Sequence, residues 1–224
     1  ARKLAQFFLH LRSCRGSGMG HSFWSMRPGL TVGRLRSPRR DGSKDGGRHA
    51  IQALSQGNDM PISLYDATVP TVQGLIVKAK DSDISEETIA SACLREGMAP
   101  FPRQVNWMIG HSLGAIEAVR KGEMTPDTSE PTTELEQMRL NLGAAENKLR
   151  ALSIGELESF VGQPVRFVMK ARGVDIPFTA EQFLLSFSQP NFFFHATTAY
   201  AILRQLGLDI GKVDYLGQVR AAVE

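Results

Sequence analysis

The chain has 224 residues and a formal net charge of +3, from 26 Lys and Arg against 23 Asp and Glu, with 42% hydrophobic residues. That length buries one sizeable core plus a tail, or two small domains at most, and no apolar run approaches the roughly eighteen residues a membrane-spanning helix needs. Cys14 and Cys93 make no metal-type spacing, which excludes a zinc knuckle or a disulfide framework and reads most simply as a reducing compartment.

The charge is unevenly spread. Residues 1–59 carry nine Arg and two Lys against three Asp and no Glu, a formal +8, and residues 60–224 carry −5. The first stretch is rich in Gly, Ser and Arg and has little apolar periodicity beyond Leu4–Leu11, so it is expected to be a disordered extension. It reads first as an uninformative leader ahead of Met60, which places the protein in the cytoplasm. The alternative is a mitochondrial presequence, whose Arg-rich, acid-poor composition it shares. Because the basic excess belongs to this extension, the charge predicts no specific nucleic-acid partner. Residues 60–217 are expected to form the domain and 218–224 a C-terminal tail.

Within the domain, Tyr65, Val69, Val72, Ile76 and Ala79 predict a helix from about Ser63 to Ala79, which Pro70 must kink or begin. A shorter helix follows near Ser85–Leu94. Val105, Ile109, Ser112, Ile116 and Val119 then predict one helix from Pro102 to Lys121, stopped by Gly122. Thr133 and Glu136 read as a capping box opening a third long helix, with the stripe Leu135, Met138, Leu142, Ala145, Leu149 and Leu152. Val165–Lys170 and Val174–Phe178, alternating around Gly173, predict a short hairpin. Thr179 opens a helix through Phe187, Pro190 interrupts it, and residues 190–206 form the last helix. The architecture expected from these elements is all-α, an antiparallel helical bundle with a β-hairpin insert.

Three groups of residues invite chemistry. Gly110-His111-Ser112-Leu113-Gly114 matches the nucleophile elbow of α/β hydrolases, in which the serine sits between a strand and a helix. The helical stripe here instead places Ser112 inside a helix, bonded back to a carbonyl of the preceding turn, with Gly110 and Gly114 admitting a close helix neighbour. His111 and His195, from two helices, are the candidates for a metal or proton-transfer site, because imidazole ligates metal and titrates near neutrality. Two imidazoles fall short of the three or four ligands a transition metal wants. Asn191, Tyr200, Lys212, Asp214 and Tyr215 form a polar group near the last helix. There Asn191 is expected to cap the helix, Gly207 and Gly211 to set turns, and Lys212 to pair with a carboxylate.

Met60-Pro61-Ile62-Ser63-Leu64-Tyr65-Asp66, Phe101-Pro102-Arg103-Gln104-Val105, the run from Pro190 through His195 to Arg204, and Gly211-Lys212-Val213-Asp214-Tyr215-Leu216-Gly217 resemble the signature segments of an uncharacterised family, domain of unknown function 1993. The resemblance covers residues 60–217. It implies an antiparallel four-helix bundle of the DinB/YfiT-like metalloenzyme class, whose members hold a divalent metal with three histidines. His111 and His195 match two of those positions, and Ser186, Asn191 and Ala199 leave the third without an imidazole.

The leading expectation is therefore a helical-bundle protein that binds a small ligand in an inter-helical cleft at His111, His195, Asn191 and Tyr200, without a complete three-histidine site. The alternatives are a metal-dependent transferase or hydrolase with His111 and His195 as metal ligands, a dimerising module without catalysis, and, last, a serine hydrolase using Ser112. The residues leave open whether the chain is an enzyme.

Overall fold

The structure is a computed structural model that describes residues 60–218, with side chains from Thr68 onward. The expectations for residues 1–59 and the end of the C-terminal tail lie outside the described residues, and that for the Tyr65 side chain outside the described side chains. The described chain is mostly helical and carries one small three-stranded sheet.

Helix α1 (Met60–Lys80) begins three residues before the predicted start and holds Pro70 in its interior. Its stripe is as expected, with Val69, Val72, Ile76 and Ala79 all buried. Helix α2 (Glu86–Ser91) is capped by Ser85, whose hydroxyl accepts the Thr88 N–H at 3.2 Å. The helix predicted over Pro102–Lys121 is in fact two, α3 (Phe101–Gly110) and α4 (Leu113–Lys121). The joint is His111 (φ −90°, ψ 4°) and Ser112 (φ −111°, ψ −92°), where the weak helix former Gly110 ends α3. The Ser112 hydroxyl donates to the Met108 carbonyl at 2.9 Å, an acceptor at the end of α3, and lies 3.2 Å from the Ile109 carbonyl, which also accepts the Ser112 N–H. The back-bonded serine is as expected; the unbroken helix is not. Gly122 stops α4 in the left-handed region at φ 75°.

The chain then adds strand β1 (Glu123–Met124) and helix α5 (Leu135–Arg150). The predicted capping box does not form. Glu134 is the N-cap, which moves Glu136 to the second helical position, and its carboxylate instead meets Lys80 of α1 and Arg139, the latter at 2.5 Å. The α5 stripe is buried as predicted, and each such leucine is worth roughly 2 kcal/mol of transfer from water. Helix α6 (Ile154–Ser159) leads to β2 (Pro164–Met169) and, through a 3₁₀ turn (Lys170–Arg172) and Gly173 at φ 62°, to β3 (Val174–Thr179).

β2 and β3 pair antiparallel from Pro164↔Thr179 to Met169↔Val174, which is the predicted hairpin. Pro177 is tolerated because β3 lies at the sheet edge. β1 pairs parallel with β2, Glu123 opposite Arg166. That third strand extends the predicted hairpin to a small sheet beside the helices; two residues carry no periodicity from which to read it.

After β3, helix α7 (Ala180–Gln182) passes into a π-helical segment (Phe183–Ser188) and on into α8 (Gln189–Gln205). Pro190 therefore does not break this run: it occupies the first turn of α8, and the wider π turn absorbs the change. Helix α9 (Lys212–Leu216) closes the chain against α1, tied by Lys78 to Asp214 at 2.7 Å. α1 packs on α5, α8 on α3, and α1 on α8, around Val72, Phe101, Leu142, Phe192 and Ile202. Among the described residues no helix is long and apolar enough to cross a membrane.

Candidate functional site

Two helix stripes bring the site together. On α3, Phe101, Val105 and Met108 face the core, and Gln104 occupies the same stripe. On α8, Phe192, Ala196 and Ala199 do the same, and His195 takes the corresponding place. α3 and α8 pack face to face, so an amide and an imidazole that are 91 residues apart meet in the interior: His195 Nδ1 lies 2.8 Å from Gln104 Oε1. Gln104 is 2% exposed and His195 0%.

The other end of the Gln104 amide is fixed as well. Its Nε2 donates to the Ala99 carbonyl at 3.0 Å, at the entry to α3. An amide whose nitrogen faces a carbonyl presents its oxygen at the opposite end, so His195 Nδ1 must be the donor in the pair.

His111, at the α3–α4 joint, stacks beside this imidazole with ring centroids 5.7 Å apart and planes 19° from parallel. Its Nδ1 stands 3.5 Å from the hydroxyl of Ser188, the last residue of the π segment, itself fully buried. Around the two imidazoles stand aromatic rings: Trp107 at 5.3 Å and Phe194 at 5.2 Å from His195, and Phe187 at 5.7 Å from His111. Trp107 and Phe187 are half-buried and Phe194 is exposed. The Arg103 guanidinium covers Trp107 at 5.7 Å and is held by the Ser129 carbonyl and by Glu130.

Both imidazoles are neutral at ordinary pH. Burial pushes His111 down to about 4. Burial, and secondarily repulsion from His111, pushes His195 down to about 3. A neutral pair donates and accepts hydrogen bonds and carries no charge to offer an ionic ligand.

The structure places His111 and His195 side by side, and sets Asn191 and Tyr200 against other partners. Asn191 lies one turn before His195, but its amide nitrogen donates to the Phe187 carbonyl at 2.6 Å, which ties α8 to the π segment and does not cap the helix. Tyr200 packs on Tyr215 of α9 with centroids 5.5 Å apart. Sequence reasoning missed Gln104, Ser188, Trp107 and Phe187. Gln104 had a visible signal, since a polar residue occupies the apolar stripe of α3 three residues after Phe101. Ser188 had none, because the π turn that directs it is a tertiary adjustment.

The site does not fit a three-histidine metal centre. Ser186 donates to the Gln182 carbonyl, Asn191 is engaged as above, Ala199 has no donor, and among the described residues no three His, Cys, Asp or Glu side chains gather where they would hold a metal. The nucleophile elbow is not built either. Gly110 ends a helix where that motif needs a strand, and the Ser112 hydroxyl is spent on the Met108 carbonyl. A Cβ at Gly110 would meet nothing within 4 Å and one at Gly114 only the Ile109 carbonyl at 3.6 Å, so the glycines do not admit a neighbouring helix as expected.

The family described as Domain of unknown function (DUF1993) matches residues 61–216. Among solved structures, the crystal structure of a DinB family member protein from Shewanella denitrificans is similar, with a TM-score of 0.63 and 18% identity over 78% of this chain and 99% of that one. At that identity the likeness is one of fold. No curated protein matches the chain.

Proposed function

This chain belongs to the family described as Domain of unknown function (DUF1993), and from that premise we propose that it is a small-ligand-binding protein built on an antiparallel four-helix bundle of the DinB/YfiT-like kind. The ligand enters between α3, the π segment and α8 and meets the His111–His195 pair. The pairwise packing of α1, α3, α5 and α8 and the DinB-family neighbour support the bundle. One observation carries the binding role: two neutral imidazoles and an amide lie together inside a largely apolar core, next to half-buried Trp107 and Phe187. Buried polar groups of this kind cost stability relative to apolar packing, and a ligand site is a reason to keep them. The imidazoles do this work as hydrogen-bonding groups in their neutral form.

The test is native mass spectrometry of the chain purified under mild conditions, with thermal unfolding in uncharged aromatic fragments. The expected result is a bound mass, or a raised midpoint, that is lost in His111→Ala, the ring nearer the surface. Equal responses in wild type and His111→Ala would overturn the reading.

A further inference from the structure

We propose that Gln104 is a positioning residue that holds His195 as its Nδ1–H tautomer, so that a ligand group meeting this imidazole at Nε2 must be a hydrogen-bond donor. The chain of contacts has one consistent direction. The Ala99 carbonyl can only accept, so Gln104 Nε2 donates to it at 3.0 Å. Gln104 Oε1 can only accept, so His195 Nδ1 donates to it at 2.8 Å. A neutral imidazole has one N–H, and with Nδ1 carrying it the lone pair is at Nε2.

Each member of this relay is enclosed. Gln104 is 2% exposed, His195 0% and Ala99 4%, so bulk water does not compete for the bonds and the amide has no cheap alternative orientation. Reversing the amide would set its oxygen against the Ala99 carbonyl, two acceptors face to face, which loses that buried bond whichever tautomer His195 takes. Any group that meets Nε2, from the chain or from a ligand, therefore meets an acceptor. The ligand class is then an uncharged molecule with an O–H or N–H donor beside a flat apolar body, the donor for His195 and the body for Trp107 and Phe187. This assignment of ligand class rests on the binding role proposed above; the tautomer does not.

The experiment uses the full chain labelled with ¹⁵N and reads the two ring nitrogens of His195 by long-range proton–nitrogen correlation, with His195→Gln to assign the signals among the five histidines. Wild type is expected to show a pyrrole-like Nδ1 and a pyridine-like Nε2. In Gln104→Leu that pattern is expected to move toward a mixture of tautomers. If Gln104→Leu does not fold, Gln104→Met serves, and the wild-type spectrum decides by itself. A pyrrole-like Nε2 in wild type, or a tautomer unchanged without the amide, would overturn the proposal.

Phenol and anisole, which differ in a single donor, then probe the ligand class. Phenol is expected to bind about tenfold tighter and to shift Nε2. Equal or tighter binding of anisole overturns the donor requirement. If neither probe moves either imidazole while the tautomer is as assigned, the binding role fails and the positioning role of Gln104 stands.

Discussion

Gln104 and His195 occupy the same place on two different helix stripes, three residues after a buried phenylalanine in each case, and meet at 2.8 Å across the α3–α8 contact. Phe101 and Phe192 are buried on the two facing stripes, and the polar pair meets within the same contact. Such a pair stabilises the fold less than it penalises its own disruption. Its net worth is about 1 kcal/mol, while an unpaired partner costs about 1–3 kcal/mol.

A double-mutant cycle reads this asymmetry directly. Gln104→Leu leaves the His195 N–H and the Ala99 carbonyl without their partner and is expected to lower stability by about 2 kcal/mol or more. The double variant Gln104→Leu, His195→Leu is expected to cost less than the sum of the two single changes, by at least about 1 kcal/mol in urea unfolding. Additive costs would mean that the bond does not form in solution.

The buried imidazoles make stability depend on pH below neutrality. Their folded values, about 4 for His111 and about 3 for His195, lie below the ordinary 6.5. Between those values the unfolded chain binds more protons than the folded one. Their contribution is therefore complete above about pH 6.5 and is lost as pH falls toward 4, on the order of 3 kcal/mol for His111 alone. Urea midpoints measured in a chelator are expected to fall over this range, and to fall less in His111→Phe. A slope that His111→Phe leaves unchanged would place the titration elsewhere.

Gly110→Ala is expected to raise stability by about 0.5–1 kcal/mol. The position is the last of α3, a Cβ there meets nothing within 4 Å, and alanine loses less backbone entropy on folding. The same change at Gly122 is expected to destabilise by about 1–2 kcal/mol, because φ 75° is a left-handed conformation that alanine resists. Thermal unfolding of the two variants with opposite signs checks both statements.

Ser112→Ala is expected to lower stability by about 1 kcal/mol, since the hydroxyl serves the Met108 and Ile109 carbonyls at the α3–α4 joint. A fluorophosphonate probe is expected to leave Ser112 unlabelled. Labelling lost in Ser112→Ala would show a nucleophile the joint does not provide for.

Elemental analysis of the chain, purified without a histidine tag and then offered zinc, nickel, iron or manganese, is expected to give well below one metal per chain. Two imidazoles without a third gathered donor hold a divalent ion weakly. A stoichiometric metal lost in His195→Ala would move the metal-dependent reading to the front.

Helical periodicity is a property of neighbours along the chain, and what depends on it was legible. The stripes of α1 and α5 and the burial of His195 follow from residues three or four apart, the hairpin around Gly173 from alternate residues, and the stop at Gly122 from a local backbone conformation. The place of His195 on the last helix was legible for the same reason, whereas His111, expected inside a helix, lies at the α3–α4 joint. Other features depend on what one element meets on another. The break at His111–Ser112, the π turn ahead of Pro190, the two-residue strand β1 and the use of Glu136 by Lys80 are outcomes of packing between distant segments. The relay from Ala99 through Gln104 to His195 belongs with them: the sequence determined that each residue faces inward, and only the contact of α3 with α8 decided that the amide and the imidazole face each other, because a hydrogen bond depends on the distance and direction between two atoms and those are not encoded locally.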